Sequence, residues 1–279
     1  MAAASNRSGA APAPNGPATG EAYDVLGPPR APAIVLLHGS SENRRMWKLQ
    51  AEALAGPFRV IVPDYHGHGA LAHLPFRMDD VMEYIAGLVD REAGGSAVAV
   101  GLSLGGYLTM EFATRYPEKL RGIVLMGCTA EPTGIGAALY WLATCVMSTA
   151  PLPILAGLKA GMGRLLLGRE MAPLLNGSWF RGGAQGCRAV MWKSSIEKVR
   201  RYSGPILFIN GSRDYPFRTR ERSFLKAAPH ARLELIPRGY HPCNLSDPTR
   251  VTLAIRRFAE SLANSPADCV ADRLDEQAP

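Results

Sequence analysis

Six short apolar runs bounded by turn-forming residues recur along the chain, at 33–37, 58–62, 97–100, 122–126, 205–209 and 232–236. Between most of them lie amphipathic stretches of helical length, at 42–55, 79–90, 104–116, 219–228 and 248–262. Apolar strands alternating with amphipathic helices predict a mostly parallel sheet with helices on both faces, the α/β class. Start signals agree: Asp79 and Asp80 precede the apolar positions Val81, Ile85 and Leu88, and Asp247-Pro248 heads the last helix.

The alternation lapses at 130–203, far longer than an ordinary connection between two strands, and this stretch reads as an insertion. From 132 to 158 it carries no charge. A membrane span is the sharp alternative, but Pro151 and Pro153 interrupt the run, 133–150 is barely long enough, and Thr144, Ser148 and Thr149 dilute it. Membrane contact is therefore not the favoured reading. The later half changes character, with Arg164, Arg169, Arg181, Arg188, Lys193, Lys198, Arg200 and Arg201 opposed only by Glu170 and Glu197. A basic rim over an apolar floor results.

A chain of 279 residues accommodates one large α/β domain with such an insertion. We expect a core at 21–129 and 204–264, the insertion at 130–203, and two disordered tails, 1–20 and the acidic 265–279. The first tail lacks the apolar segment of a signal peptide. Five cysteines, odd in number and without a CxxC pair, argue against a disulfide framework or a zinc site and fit a reducing, cytoplasmic setting. The net charge of +7 becomes +9 for the core when the tails' +1 and −3 are set aside. Its basic residues are scattered rather than clustered, so nucleic acid is not an expected partner.

The chemistry concentrates at Gly101-Leu102-Ser103-Leu104-Gly105, which follows the run at 97–100 and opens the helix at 104–116. A serine on so tight a strand-to-helix turn needs tiny residues two positions before and two after it. Alone, the same serine would read as a helix N-cap. A serine hydroxyl attacks only when a base takes its proton, best an imidazole held by a carboxylate. His241 stands after the run at 232–236 and the turn at 237–240, on the edge of the sheet where parallel strands end and ligands bind. Asp214 lies past the end of 205–209 on the same edge; Asp247 competes with it but reads as the cap of the last helix. His38, His66 and His68 are expected to bond backbone in nearby loops, and His230, ahead of a strand, faces the opposite edge. Backbone N–H groups of Leu104, after the serine, and Ser40, after the first run, are the natural donors to a tetrahedral oxyanion. Cys128 and Cys243 read as small buried thiols, and Met147, Met162, Met171 and Met191 as packing residues.

Together these pieces resemble the α/β-hydrolase superfamily, in its order nucleophile, acid, histidine. Leu37-His38-Gly39-Ser40 is similar to the family's oxyanion motif, with Trp47 at the place of a recurrent aromatic; Asp64-Tyr65-His66-Gly67-His68-Gly69 is similar to its Asp-x-x-Gly-x-Gly turn; Gly239-Tyr240-His241-Pro242 is similar to the segment bearing the base. The resemblance spans roughly 23–264 and implies that the insertion is a cap that covers the site and selects substrate. Departures are few. Only 21–26 is available for an opening antiparallel strand, Tyr240 replaces a commoner residue, and Leu104 stands where cofactor-free perhydrolases carry Met. A serine nucleophile argues against the dehalogenases and epoxide hydrolases of this fold, which use aspartate.

The expected function is a serine hydrolase acting on a mainly apolar small-molecule ester, thioester or lactone, with no cofactor and no metal. The basic half of the insertion suits a carboxylate or phosphate on that substrate. An acyltransferase, a carbon–carbon bond hydrolase, a lyase, a cyclase or a ligand receptor on the same scaffold are the alternatives.

Overall fold

The computed structural model describes residues 22–263 apart from 176, and the tails expected at 1–20 and 265–279 lie outside the described residues. Seven strands form one sheet in the order β1-β3-β2-β4-β5-β6-β7. Six of them occupy the apolar runs: β2 (Ala33–Leu37), β3 (Arg59–Pro63), β4 (Ala97–Leu102), β5 (Leu120–Met126), β6 (Ile206–Gly211) and β7 (Arg232–Ile236). These six run parallel. The edge strand β1 (Tyr23–Leu26), in the segment 21–26, pairs antiparallel with β3.

Alternate side chains of each strand feed two apolar clusters, one on each face, because successive residues of a strand point to opposite sides. On one face Ile34, Leu36, Val98 and Val100 pack against α1 (Lys48–Leu54) and the C-terminal helix through Trp47, Leu54, Ile255 and Phe258. On the other, Val35, Leu37, Ala99 and Phe208 meet α2 (Met78–Ala93) and α3 (Leu104–Arg115) through Val81, Ile85 and Leu108. The expected helix at 42–55 begins instead as a 3-10 turn at Arg44–Trp47, where the Asn43 side chain accepts the Arg45 N–H. Asp79 and Asp80 fall in the first turn of α2, where their charge favours the helix N-terminus.

Between β5 and β6 come four helices: α4 (Gly134–Thr149), α5 (Leu152–Met171), α6 (Phe180–Val190) and α7 (Ser195–Arg201). The last packs on the sheet, with Val199 in the α2–α3 cluster. The first three rise over the strand ends. Their stretch opens and closes at one point, where the Trp192 N–H donates to the Pro132 carbonyl at 2.8 Å. After β6 follow α8 (Glu221–Ala227), the short α9 (Cys243–Ser246) beyond β7, and α10 (Pro248–Ala263). Met162 on α5 is 59% exposed rather than packed, and Trp141 on α4 and Leu158 and Leu165 on α5 are exposed as well. Among the described residues no single helix is long and apolar enough to cross a membrane; the stretch of α4 and α5 is so only as a pair bent by 119°.

Phe208, fully buried in β6, is a sensitive gauge of this packing. Phe208→Ala is expected to lower the unfolding free energy by about 3–5 kcal/mol, read from the urea midpoint.

Candidate active site

Ser103 makes the turn between β4 and α3 alone, with φ 56° and ψ −118°. For a residue with a side chain this is strained backbone, costing about 1–3 kcal/mol that surrounding contacts must offset. Its N–H donates to the Met126 carbonyl at 2.8 Å, and its own carbonyl accepts the N–H groups of Gly106 and Tyr107. The neighbours have no room to grow. A Cβ on Gly101 would lie 2.1 Å from the Gly105 carbonyl oxygen, and one on Gly105 would lie 2.2 Å from that of Leu37. Ser103 holds the N-cap position of α3, yet its side chain makes no capping bond. The hydroxyl is left to the cavity above the sheet.

His241 and Asp214 meet there. The imidazole Nδ1 and the Asp214 Oδ2 are 2.8 Å apart, and Asp214 is buried. Their loops interlock: Ser212 and Arg213 N–H groups donate to the carbonyls of Ile236 and Gly239, both at 2.9 Å. Asp247 is spent elsewhere, accepting the Arg250 N–H at the start of α10. Ser103, Asp214 and His241 line one cavity of about 500 Å³, together with Gly39, Ser40 and Leu102. With Nδ1 bonded to the carboxylate, Nε2 is the ring nitrogen available to that cavity.

Two flanking groups escaped the sequence reading. Phe217 stacks on the His241 ring, centroids 3.9 Å apart and planes 26° from parallel. Its carbonyl accepts the Thr129 hydroxyl at 2.9 Å, which fixes the loop after Asp214. The second is a buried ion pair between Glu42, beside the Ser40 loop, and Lys159 on α5. Burial raises the Glu42 carboxyl, and the Lys159 ammonium pulls against that shift. Lys159 also donates to the Gly177 carbonyl at 2.6 Å, while the Gly177 N–H donates to Glu42 at 3.1 Å. Neither carries a local pattern: Phe217 meets His241 across 24 residues and Thr129 across 88, and Glu42 meets Lys159 across 117, contacts made only in the folded chain.

The Ser40 loop stands against the turn: a Cβ on Gly39 would be 3.7 Å from that of Ser103. The Gly39 N–H points to the Met46 sulfur at 3.3 Å, whereas the Ser40 N–H makes no bond among the described residues. Leu104 is the first residue of α3, so its N–H has no acceptor within the helix. Helix α6 sits directly on the loops that carry Ser40 and Gly67. A Cβ on Gly183 of α6 would lie 2.7 Å from the Ser40 hydroxyl, and one on Gly182 would lie 2.0 Å from the Gly67 carbonyl oxygen.

The histidines near the site are built into the loops. His38 Nδ1 bonds the Gly39 carbonyl at 2.9 Å, its ring stacks 3.9 Å from that of Tyr65, and His68 Nδ1 bonds the His66 carbonyl at 3.1 Å. Burial holds both His38 and His68 down to about 3. Cys128 and Cys243 are fully buried, and burial pushes the Cys243 thiol up to about 12. Neither is poised as a thiolate. Among the described residues no group of three or more His, Cys, Asp or Glu side chains could hold a metal.

A model of the alpha/beta hydrolase family matches residues 34–254. The chain belongs to this family. Over 84% of its length it is 24% identical to 3-oxoadipate enol-lactonase 2 of Acinetobacter baylyi, of which it covers 90%. Solved structures share this α/β-hydrolase fold. The thermophilic esterase of Thermogutta terrifontis superposes with a TM-score of 0.72 at 24% identity, over 86% of this chain and 93% of that one. The enol-lactonase of Burkholderia xenovorans LB400 gives 0.71 at 21%, over 85% and 95%.

The buried histidines tie stability to pH. An unfolded histidine titrates near 6.5. Between that value and about 3 the unfolded chain takes up protons that folded His38 and His68 refuse, so their contribution is intact above pH 6.5 and lost as the pH falls. At pH 5 the expected loss is on the order of 2 kcal/mol per histidine relative to pH 8. Urea midpoints across that range measure it, and His68→Gln is expected to flatten the profile by one group's share.

Proposed function

We propose that this α/β hydrolase is a serine hydrolase that cleaves a mainly apolar ester, thioester or lactone through an acyl-enzyme. The observation that carries the reading is the His241–Asp214 pair opening, with Ser103 on its strained turn, onto one cavity. His241 Nε2 takes the Ser103 proton as Oγ bonds to the carbonyl carbon, and Asp214 holds the imidazole tautomer and steadies its positive charge. The oxyanion is received by the N–H groups of Ser40 and Leu104, the second aided by the positive end of α3. His241 then gives the proton to the leaving group. Water, deprotonated by His241 in turn, releases the acid and restores Ser103.

Substrate character follows from the lining. Leu102, Met162, Leu166, Leu167 and Leu175 are apolar, which favours an apolar body. Of the two cations there, Lys159 is engaged by Glu42, but the Arg213 guanidinium bonds only the Tyr240 hydroxyl, at 3.0 Å, among the described residues. A carboxylate on the substrate would find its partner in Arg213.

Ser103→Ala is expected to bring ester turnover to background with the fold retained, and Asp214→Asn to lower kcat roughly 10⁴-fold. Mass spectrometry after rapid quench should find an acyl adduct on Ser103 in the parent protein and none in Ser103→Ala. Undiminished turnover in Ser103→Ala would refute the assignment.

A further inference from the structure

A second cavity, of about 410 Å³, lies behind the first and shares with it the side chains of Tyr140, Pro216 and Phe217. Its other walls include Leu104, Ala137 and Val190, so it begins one residue from Ser103. The polar groups along it are used within the protein. Tyr107 donates its hydroxyl to the Ala130 carbonyl at 2.6 Å, the Tyr140 hydroxyl and Cys187 sulfur are 3.3 Å apart, and Glu131 accepts the Ile196 N–H at 3.1 Å. Thr219 at the cavity's edge donates to the Pro216 carbonyl at 3.5 Å, and apart from the second carboxylate oxygen of Glu131 the surface left to receive a ligand is mainly hydrocarbon. The partition is a pair of rings, Tyr140 from the cap and Phe217 from the loop after Asp214, edge to face at 6.5 Å.

The two cavities divide a substrate between them. His241 lines only the first, and it must hand its proton to the leaving group, so the leaving group occupies the first cavity. The other substituent of the reacting carbonyl points away from His241, past Leu104. We propose that the second cavity is the acyl subsite, that it takes an unbranched apolar acyl chain, and that Tyr140 and Phe217 form the partition the chain must pass. This assignment rests on the reading of Ser103 as the nucleophile.

Gly136 offers the test. It stands at the exposed rim of the second cavity, and a Cβ added there would meet nothing within 4 Å, so a larger side chain can be placed at the entrance without a clash. The probes are p-nitrophenyl acetate, hexanoate and decanoate, which vary the acyl chain at one leaving group, and acetate esters of short and long alcohols, which vary the leaving group at one acyl chain. Gly136→Leu is expected to lower the hexanoate-to-acetate ratio of kcat/KM about tenfold or more, while the ranking of the alcohols holds. Tyr140→Ala, which joins the cavities, is expected to move the preference towards decanoate. Ala137→Val, at a buried position of the same wall, adds volume inside the cavity and should shift the ratio in the same direction, which keeps the test independent of how Gly136→Leu folds. Binding of decanoate to Ser103→Ala by calorimetry, weakened when Gly136→Leu is added, supplies a readout independent of turnover. Unchanged acyl ratios with turnover still dependent on Ser103, or a changed ranking of alcohols instead, would overturn the subsite alone. Turnover independent of Ser103 would overturn the underlying mechanism and the acyl subsite with it.

Discussion

The left-handed backbone of Ser103 is the constraint around which the rest of this protein is arranged. A side chain held at φ 56° persists only where its surroundings leave no alternative. Here the surroundings are the carbonyl of Met126 on the neighbouring strand, the first turn of α3, and the absence of any Cβ on Gly101, Gly105 and Gly106. The strain turns the hydroxyl away from its capping role and into the space where the loops after β2, β6 and β7 converge. Each of those loops begins where a parallel strand ends, so the sheet's direction and the site's position have one cause.

Much of this was legible along the chain because it is local. The turn-bounded apolar runs at 33–37 and 232–236 have the same bounds as β2 and β7, and the glycines about Ser103 announce the turn before any partner is known. Asp214 and Asp247 were harder to separate, since each follows a strand or heads a helix. The bonds made by each side chain separate them, one to an imidazole and the other to the first turn of α10. Phe217 and the Glu42–Lys159 pair left no sequence trace, for their meaning depends on partners brought together by folding. Met162 reads as packing by composition alone, but in the structure it is largely exposed and lines the wall of the cavity above Ser103.

The helices α5 and α6 and the Ser40 loop are mechanically one piece. Glu42 lies two residues from Ser40 and is joined to α5, while the glycine face of α6 rests on Ser40 itself. A buried ion pair adds little net stability, because desolvation consumes most of the attraction. Its contribution is positional: a cap displaced from Lys159 would leave a buried carboxylate without its counter-charge. Register between these helices and the sheet is thereby coupled to the position of the Ser40 loop.

The bond from Trp192 to Pro132 makes the cap a closed excursion hung from a narrow neck. Strand order on either side does not depend on what hangs there, and the entropy of closing a loop rises only slowly with its length. Helices within the excursion are therefore free to lengthen, shorten or be exchanged over generations without disturbing the sheet. Provided a cation remains for Glu42 and a flat small-residue surface for Ser40, the cavity above Ser103 can be re-roofed while the strand ends beneath it stay as they are.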